Sequence, residues 1–101
     1  MLWGQNDIVA TNQTTETGTI QSGRTRVSGI SYAGPGVAGS ITLRDGGATG
    51  TIKLVVDTAA VIGAGNVYIP GAILFKTDVY AAFTTEQVTA ITVFHSGGAN
   101  N

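Results

Sequence analysis

The chain has 101 residues and a net charge of −1 at pH 7, from five basic and six acidic side chains, with only 11% of its residues charged. No run of one sign supplies the clustered positive footprint that a phosphate backbone needs, so nucleic acid is not an expected partner. The absence of cysteine excludes disulfides and thiolate zinc sites, and the length suits a single domain folding on one core.

The first ten residues, MLWGQNDIVA, have no basic stretch ahead of an apolar run, and no window approaches the ~20 apolar residues of a membrane span. A soluble chain with no membrane partner is expected. Residues 6–17 are polar and threonine-rich, yet Leu2, Trp3, Ile8 and Val9 are apolar anchors. We read residues 1–16 as an extended arm and these four as its partner-binding residues, since a large apolar side chain outside a core seeks a neighbour's cover. Asn12-Gln13-Thr14 matches the glycosylation sequon, a chance match without a secretory route.

Fifteen glycines, with abundant Thr, Val and Ala and little helix-forming periodicity, predict an all-β chain. The strands fall near 17–22, 24–33, 40–44, 51–58, 66–69, 73–83 and 88–95, separated mostly by Gly, Pro or polar clusters. In the second, Thr25 and Val27 share one parity and Ile30 and Tyr32 the other, which a bulge at Gly29 reconciles. Ile41 and Leu43 alternate with polar residues, and Ile52, Leu54 and Val56 would face inward across a glycine-rich hairpin loop, RDGGATG. Arg44 is expected near Asp57 or Lys53. In 73–83 the inward set is Ile73, Phe75, Val79, Ala81 and Phe83, interrupted at Thr77; residues 88–95 read as a strand covered on both faces. Short strands at this spacing predict a small antiparallel β-sandwich of jelly-roll-like form over residues 17–96, followed by a tail, 97–101.

Motifs that carry chemistry are sparse. Gly34, Gly36 and Gly39 spell G-x-G-x-x-G with Asp57 beyond, but a dinucleotide site needs that pattern to open a helix, and here an alternating strand follows. His95, the single histidine, has no HxH or HxxxH partner and reads as a surface or interface residue. The acids Asp7, Glu16, Asp45, Asp57, Asp78 and Glu86 form no local ligand pattern, and no serine sits in a nucleophile elbow. No catalytic residue, cofactor or metal is assigned. Tyr32, Tyr68 and Tyr80 would form a sugar-binding platform only if they shared one exposed face.

The segments RTRVSGISYA (24–33), SITLRDG (40–46), IPGAILF (69–75), DVYA (78–81) and VTAITVF (88–94) together resemble small virion proteins of tailed bacteriophages, marine podovirus-like ones above all. The likeness spans residues 18–96 and rests on strand cadence and the final segments. It implies a non-enzymatic capsid cement or decoration protein on the outer surface of the virion, binding the major capsid protein and itself as a homotrimer. A tail or fibre component, or a small carbohydrate- or receptor-binding module, is the alternative. The resemblance brings no catalytic residues.

Overall fold

The computed structural model describes residues 8–58, 60 and 62–96. Eight strands follow in chain order: β1 (Val9–Gln13), β2 (Thr17–Ser22), β3 (Thr25–Pro35), β4 (Gly39–Asp45), β5 (Thr51–Thr58), β6 (Ile62–Phe75), β7 (Asp78–Phe83) and β8 (Ala90–Ser96). They form two four-stranded sheets ordered β1-β8-β3-β6 and β2-β7-β4-β5, antiparallel throughout.

The pairing is nested. β4 pairs with β5, β3 with β6, β2 with β7 and β1 with β8, as in one long ribbon of four strand pairs. Rolling that ribbon adds the contacts β3–β8 and β4–β7 and places alternate pairs in opposite sheets. This is the eight-stranded jelly roll, a sandwich built from two Greek keys.

Between the sheets lie Ile20, Val27, Ile30, Ile41, Leu43, Val56, Phe75, Val79, Ala81, Phe83, Val88, Ile91 and Val93, all buried. Strand alternation drives them there: β7 buries Val79, Ala81 and Phe83, and β8 buries Ile91, Val93 and His95, every second residue, as a sheet with one face on the core requires. The expected bulge is present. Between Val27 and Gly29, β3 gains one residue on β8, whose partners His95 and Phe94 are adjacent, while the partners on β6 jump from Ile73 to Tyr68, so that Val27 and Ile30 both reach the core.

Several expectations are corrected. The run 73–83 is two strands in different sheets, β6 and β7, because the chain turns at Lys76 and Thr77. Ile52 is half exposed rather than inward: a register shift pairs Arg44 with Ile52 and Leu43 with Leu54, leaving Lys53 as the extra residue and turning Ile52 outward. Arg44 does not meet Asp57 or Lys53; its Nη1 donates to the Gly50 carbonyl oxygen at 2.9 Å. Within the segment expected as an arm, Val9–Gln13 is edge strand β1. The tail assigned to 97–101 lies outside the described residues.

Candidate functional site

The two sheets differ in what they show outward. On β1, β8, β3 and β6 the sole Lys, Arg, Asp or Glu is Arg26, near one end of β3. The opposite sheet carries Arg44, Asp45, Lys53, Asp57 and Asp78 on its strands. Solvated sheet faces usually alternate apolar with charged residues, so a face without charge stands out.

Register gives the composition of that face. Ala10 lies opposite Phe94, Asn12 opposite Thr92, Gly29 opposite Phe94 and Tyr68, Ser31 opposite Thr92 and Asn66, and Ala33 opposite Ala90 and Ala64. It has two regions. One is flat and small, with a shallow depression of about 160 Å³ among Asn12, Ser31, Ala33, Ala64, Ala90 and Thr92; Asn12 Nδ2 donates to the Ile91 carbonyl oxygen at 3.1 Å and to Thr92 Oγ1 at 3.2 Å, fixing its edge.

The other is an apolar cleft of about 330 Å³, walled by Ile8, Phe94 and Tyr68 and floored by Gly29. Tyr68 is 80% exposed. Gly29 is needed at the floor, since a Cβ there would lie 2.9 Å from the Val67 carbonyl oxygen. Closer than real Cβ contacts allow, it would push β3 from β6.

Of the four residues expected to bind a partner, Leu2 and Trp3 lie outside the described residues. Ile8 and Val9 are described and exposed, 60% and 53%. They lie differently: Val9 pairs with the inward-facing His95, whereas Ile8 lines the outer cleft. Phe94, Tyr68 and Gly29 were not singled out from sequence for this face. Their signal is present in the alternation Asn66-Val67-Tyr68 and Thr92-Val93-Phe94, but it has meaning only once β3 is known to separate β6 from β8.

The three tyrosines do not form a platform. Tyr32 packs against the core, with its ring over Gly65; Tyr68 is on the outer face described above, and Tyr80 is on the opposite sheet. His95 is not at the surface: it is buried, and its Nε2 lies 2.9 Å from Thr11 Oγ1, with the direction of donation set by the ring tautomer. Burial holds its pKa below the usual 6.5. Among the described residues no three His, Cys, Asp or Glu side chains gather as a metal set. Gly34–Gly39 spans the end of β3, the turn at residues 36–38 with Gly36 at φ 105°, and the first residue of β4, so a strand follows it.

No family model and no curated protein matches the chain. Among solved structures it is similar to a chain in the cryo-EM structure of the virus-like particle of extra small virus (XSV) from the giant freshwater prawn Macrobrachium rosenbergii, at 10% identity and a TM-score of 0.40, over 88% of this chain and 75% of that one. So loose a superposition transfers no function.

Proposed function

We propose that this chain is a non-enzymatic structural protein of a virion, a capsid cement or decoration protein that docks on coat subunits and on copies of itself through the flat, charge-free region of the β1-β8-β3-β6 sheet. The observation that carries the proposal is the asymmetry of charge between the two sheets, with Arg26 alone on one and Arg44, Asp45, Lys53, Asp57 and Asp78 on the other. Interface centres are depleted of charge, because an ion removed from water without a partner is costly. Small residues such as Ala33, Ala64 and Ala90 let another backbone approach closely. The sequence resemblance to phage virion proteins over residues 18–96 supports the same reading.

The role is mechanical. Each copy ties neighbouring coat subunits, and repeated modest contacts hold through effective concentration. A homotrimer at a threefold site closes by heterologous contacts. The outer capsid surface is the location that fits a protein with no phosphate-binding footprint.

The test is retention on particles. Ala90→Lys and Thr92→Lys should each lower retention at least tenfold, about 1.4 kcal/mol, while Val55→Lys, on the exposed face of the other sheet, leaves it unchanged. Equal retention of all three would overturn the assignment of the face. A copy number per particle far below that of the coat protein would favour a tail or fibre component.

A further inference from the structure

The open edge of β6 lacks the guards that the other strand edges carry. We propose that two copies of this chain pair along it, β6 against β6 and antiparallel, about a two-fold axis at Gly65.

Four strands form the edges of the two sheets, β1 and β6 in one, β2 and β5 in the other. An edge presents unpaired N–H and C=O groups, and soluble proteins blunt it with charge, a bulge or short length. β5 carries Lys53 and Asp57 and a bulge against β4, β2 has a bulge between Thr19 and Gln21, and β1 has only five residues. From Ile62 to Tyr68, β6 has none of these: it pairs with β3 in unbroken register over seven residues, without a charge or a proline. Its free hydrogen-bonding groups can be located. The Val67 carbonyl oxygen points toward β3, for a Cβ on Gly29 would lie 2.9 Å from it. Successive residues of a strand turn their N–H and C=O to opposite sides, so Ala64, Asn66 and Tyr68 offer theirs to the open edge.

Two side chains select a second copy as the occupant. Ile62 and Tyr68, 81% and 80% exposed, stand further into solvent than any other large apolar side chain among the described residues. They lie three residues to either side of Gly65 and share one strand parity. An axis at Gly65 therefore sets Ile62 of each copy opposite Tyr68 of the other, two pairs of a β-branched with an aromatic residue, which stabilise sheets. The same register lets Ala64 and Asn66 exchange backbone hydrogen bonds between copies. The paired segment has no charge to be repeated across the axis, and a two-fold contact closes on itself rather than growing into a fibre. With each tyrosine contributing about 150–250 Å², the total burial is on the order of 1,000 Å², the low end for specific pairs, which makes the dimer reversible. This inference does not rest on the virion reading: it concerns the isolated protein and the edge of the sheet, and it leaves Ala33, Ala90 and Thr92 of the flat region uncovered.

Sedimentation equilibrium of the full-length protein should show monomer and dimer exchanging with a Kd between micromolar and millimolar. Asn66→Pro removes an outward N–H that β3 does not use, and should abolish the dimer while circular dichroism stays native. Tyr68→Ser, which leaves the backbone alone, should weaken the dimer about tenfold by removing both apolar pairs. Ala90→Lys, on the flat region, should leave it unchanged. The register has its own readout: Ile62→Lys and Tyr68→Glu chains should each dimerise weakly alone and severalfold more tightly when mixed, since the mixed dimer holds one contact between opposite charges and one native contact of Ile62 with Tyr68. A protein that stays monomeric at millimolar concentration would overturn the proposal, as would association that survives both Asn66→Pro and Tyr68→Ser or that Ala90→Lys abolishes. Mixed chains that pair no more tightly than either alone would overturn the axis at Gly65.

Discussion

Asp45 and Asp78 cap each other's turns. The Asp45 carboxylate accepts the backbone N–H groups of Lys76 and Thr77, both at 2.8 Å, and of Asp78 at 3.3 Å, while Asp78 Oδ1 accepts those of Gly46 and Gly47 at 2.9 and 3.1 Å. The β4–β5 loop and the β6–β7 turn are thereby fastened at one end of the sandwich. The RDGG motif is a turn whose acid has a structural partner 33 residues away.

Asp45→Ala should destabilise the protein by about 1.5–3 kcal/mol, the range for hydrogen bonds to a charged group, and Asp78→Ala by a similar amount. The two losses should be non-additive in a double-mutant cycle, because each change frees the turn that carries the other side chain. Urea unfolding curves measure both.

The same clasp predicts an acid limb. Desolvation raises the Asp45 pKa, but the backbone N–H groups of Lys76, Thr77 and Asp78 and the positive charge of Lys53 outweigh it and hold the group below its ordinary 3.8. A depressed carboxylate contributes stability above the unfolded pKa and loses it as pH falls through the folded one. Stability should therefore decline below about pH 4, and Asp45→Asn should flatten that decline in unfolding midpoints measured against pH.

His95 acts in a higher window with its own sign. Its folded pKa lies below 6.5 because the ring is buried, so below that pH the unfolded chain takes up protons that the folded chain refuses. Stability falls as pH drops through 6.5 and levels off once the folded ring also protonates. His95→Gln should remove this limb and leave the one near pH 4 in place.

Phe75 of β6 and Ile52 beside the β4–β5 bulge should answer substitution differently. Phe75 is fully buried, so Phe75→Ala should cost about 3–5 kcal/mol and Phe75→Asp should prevent folding. Ile52→Asp should fold, with a change in stability under about 1 kcal/mol, because that side chain is half in solvent. Thermal melts of the three variants decide it.

Backbone conformation gives a stabilising change. Ala72 sits at φ 62°, left-handed, after Gly71 at φ 81°, where β6 bends through Ile69-Pro70-Gly71-Ala72. Ala72→Gly should stabilise by about 0.5–1 kcal/mol, since glycine alone takes that conformation freely. Gly29→Ala should destabilise, its Cβ meeting the Val67 carbonyl.

Local pattern made much of this fold legible. The β2 and β5 spans, the β4–β5 hairpin and the parity break around Gly29 all follow from alternation and glycine placement within a few residues. What depended on distant neighbours did not. Ile52 changes sides through a bulge that strict alternation conceals. His95 shares the inward parity of Ile91 and Val93, but its burial depends on β1, which brings Thr11 to its ring. β1 is short and polar, VATNQ, and becomes a strand because β8 offers it an edge. The outer face stayed hidden for a related reason: four strands scattered along the chain compose it, and no single strand looks unusual without the others.

The nested pairing dictates an order of events during synthesis and folding. β4 and β5 are close in sequence and can pair as soon as their loop closes, whereas β1 and β8 join residues such as Thr11 and His95, 84 positions apart. β8 lies between β1 and β3, so the last strand in chain order occupies the interior of its sheet. Until residues 90–96 have emerged from the ribosome, β1 has no ladder to join and β3 is open along one side. Before then the nascent chain can hold the β4–β5 hairpin of one sheet and, of the sheet that β8 completes, the β3–β6 pair alone, and its folding is slow in the manner of folds dominated by distant contacts.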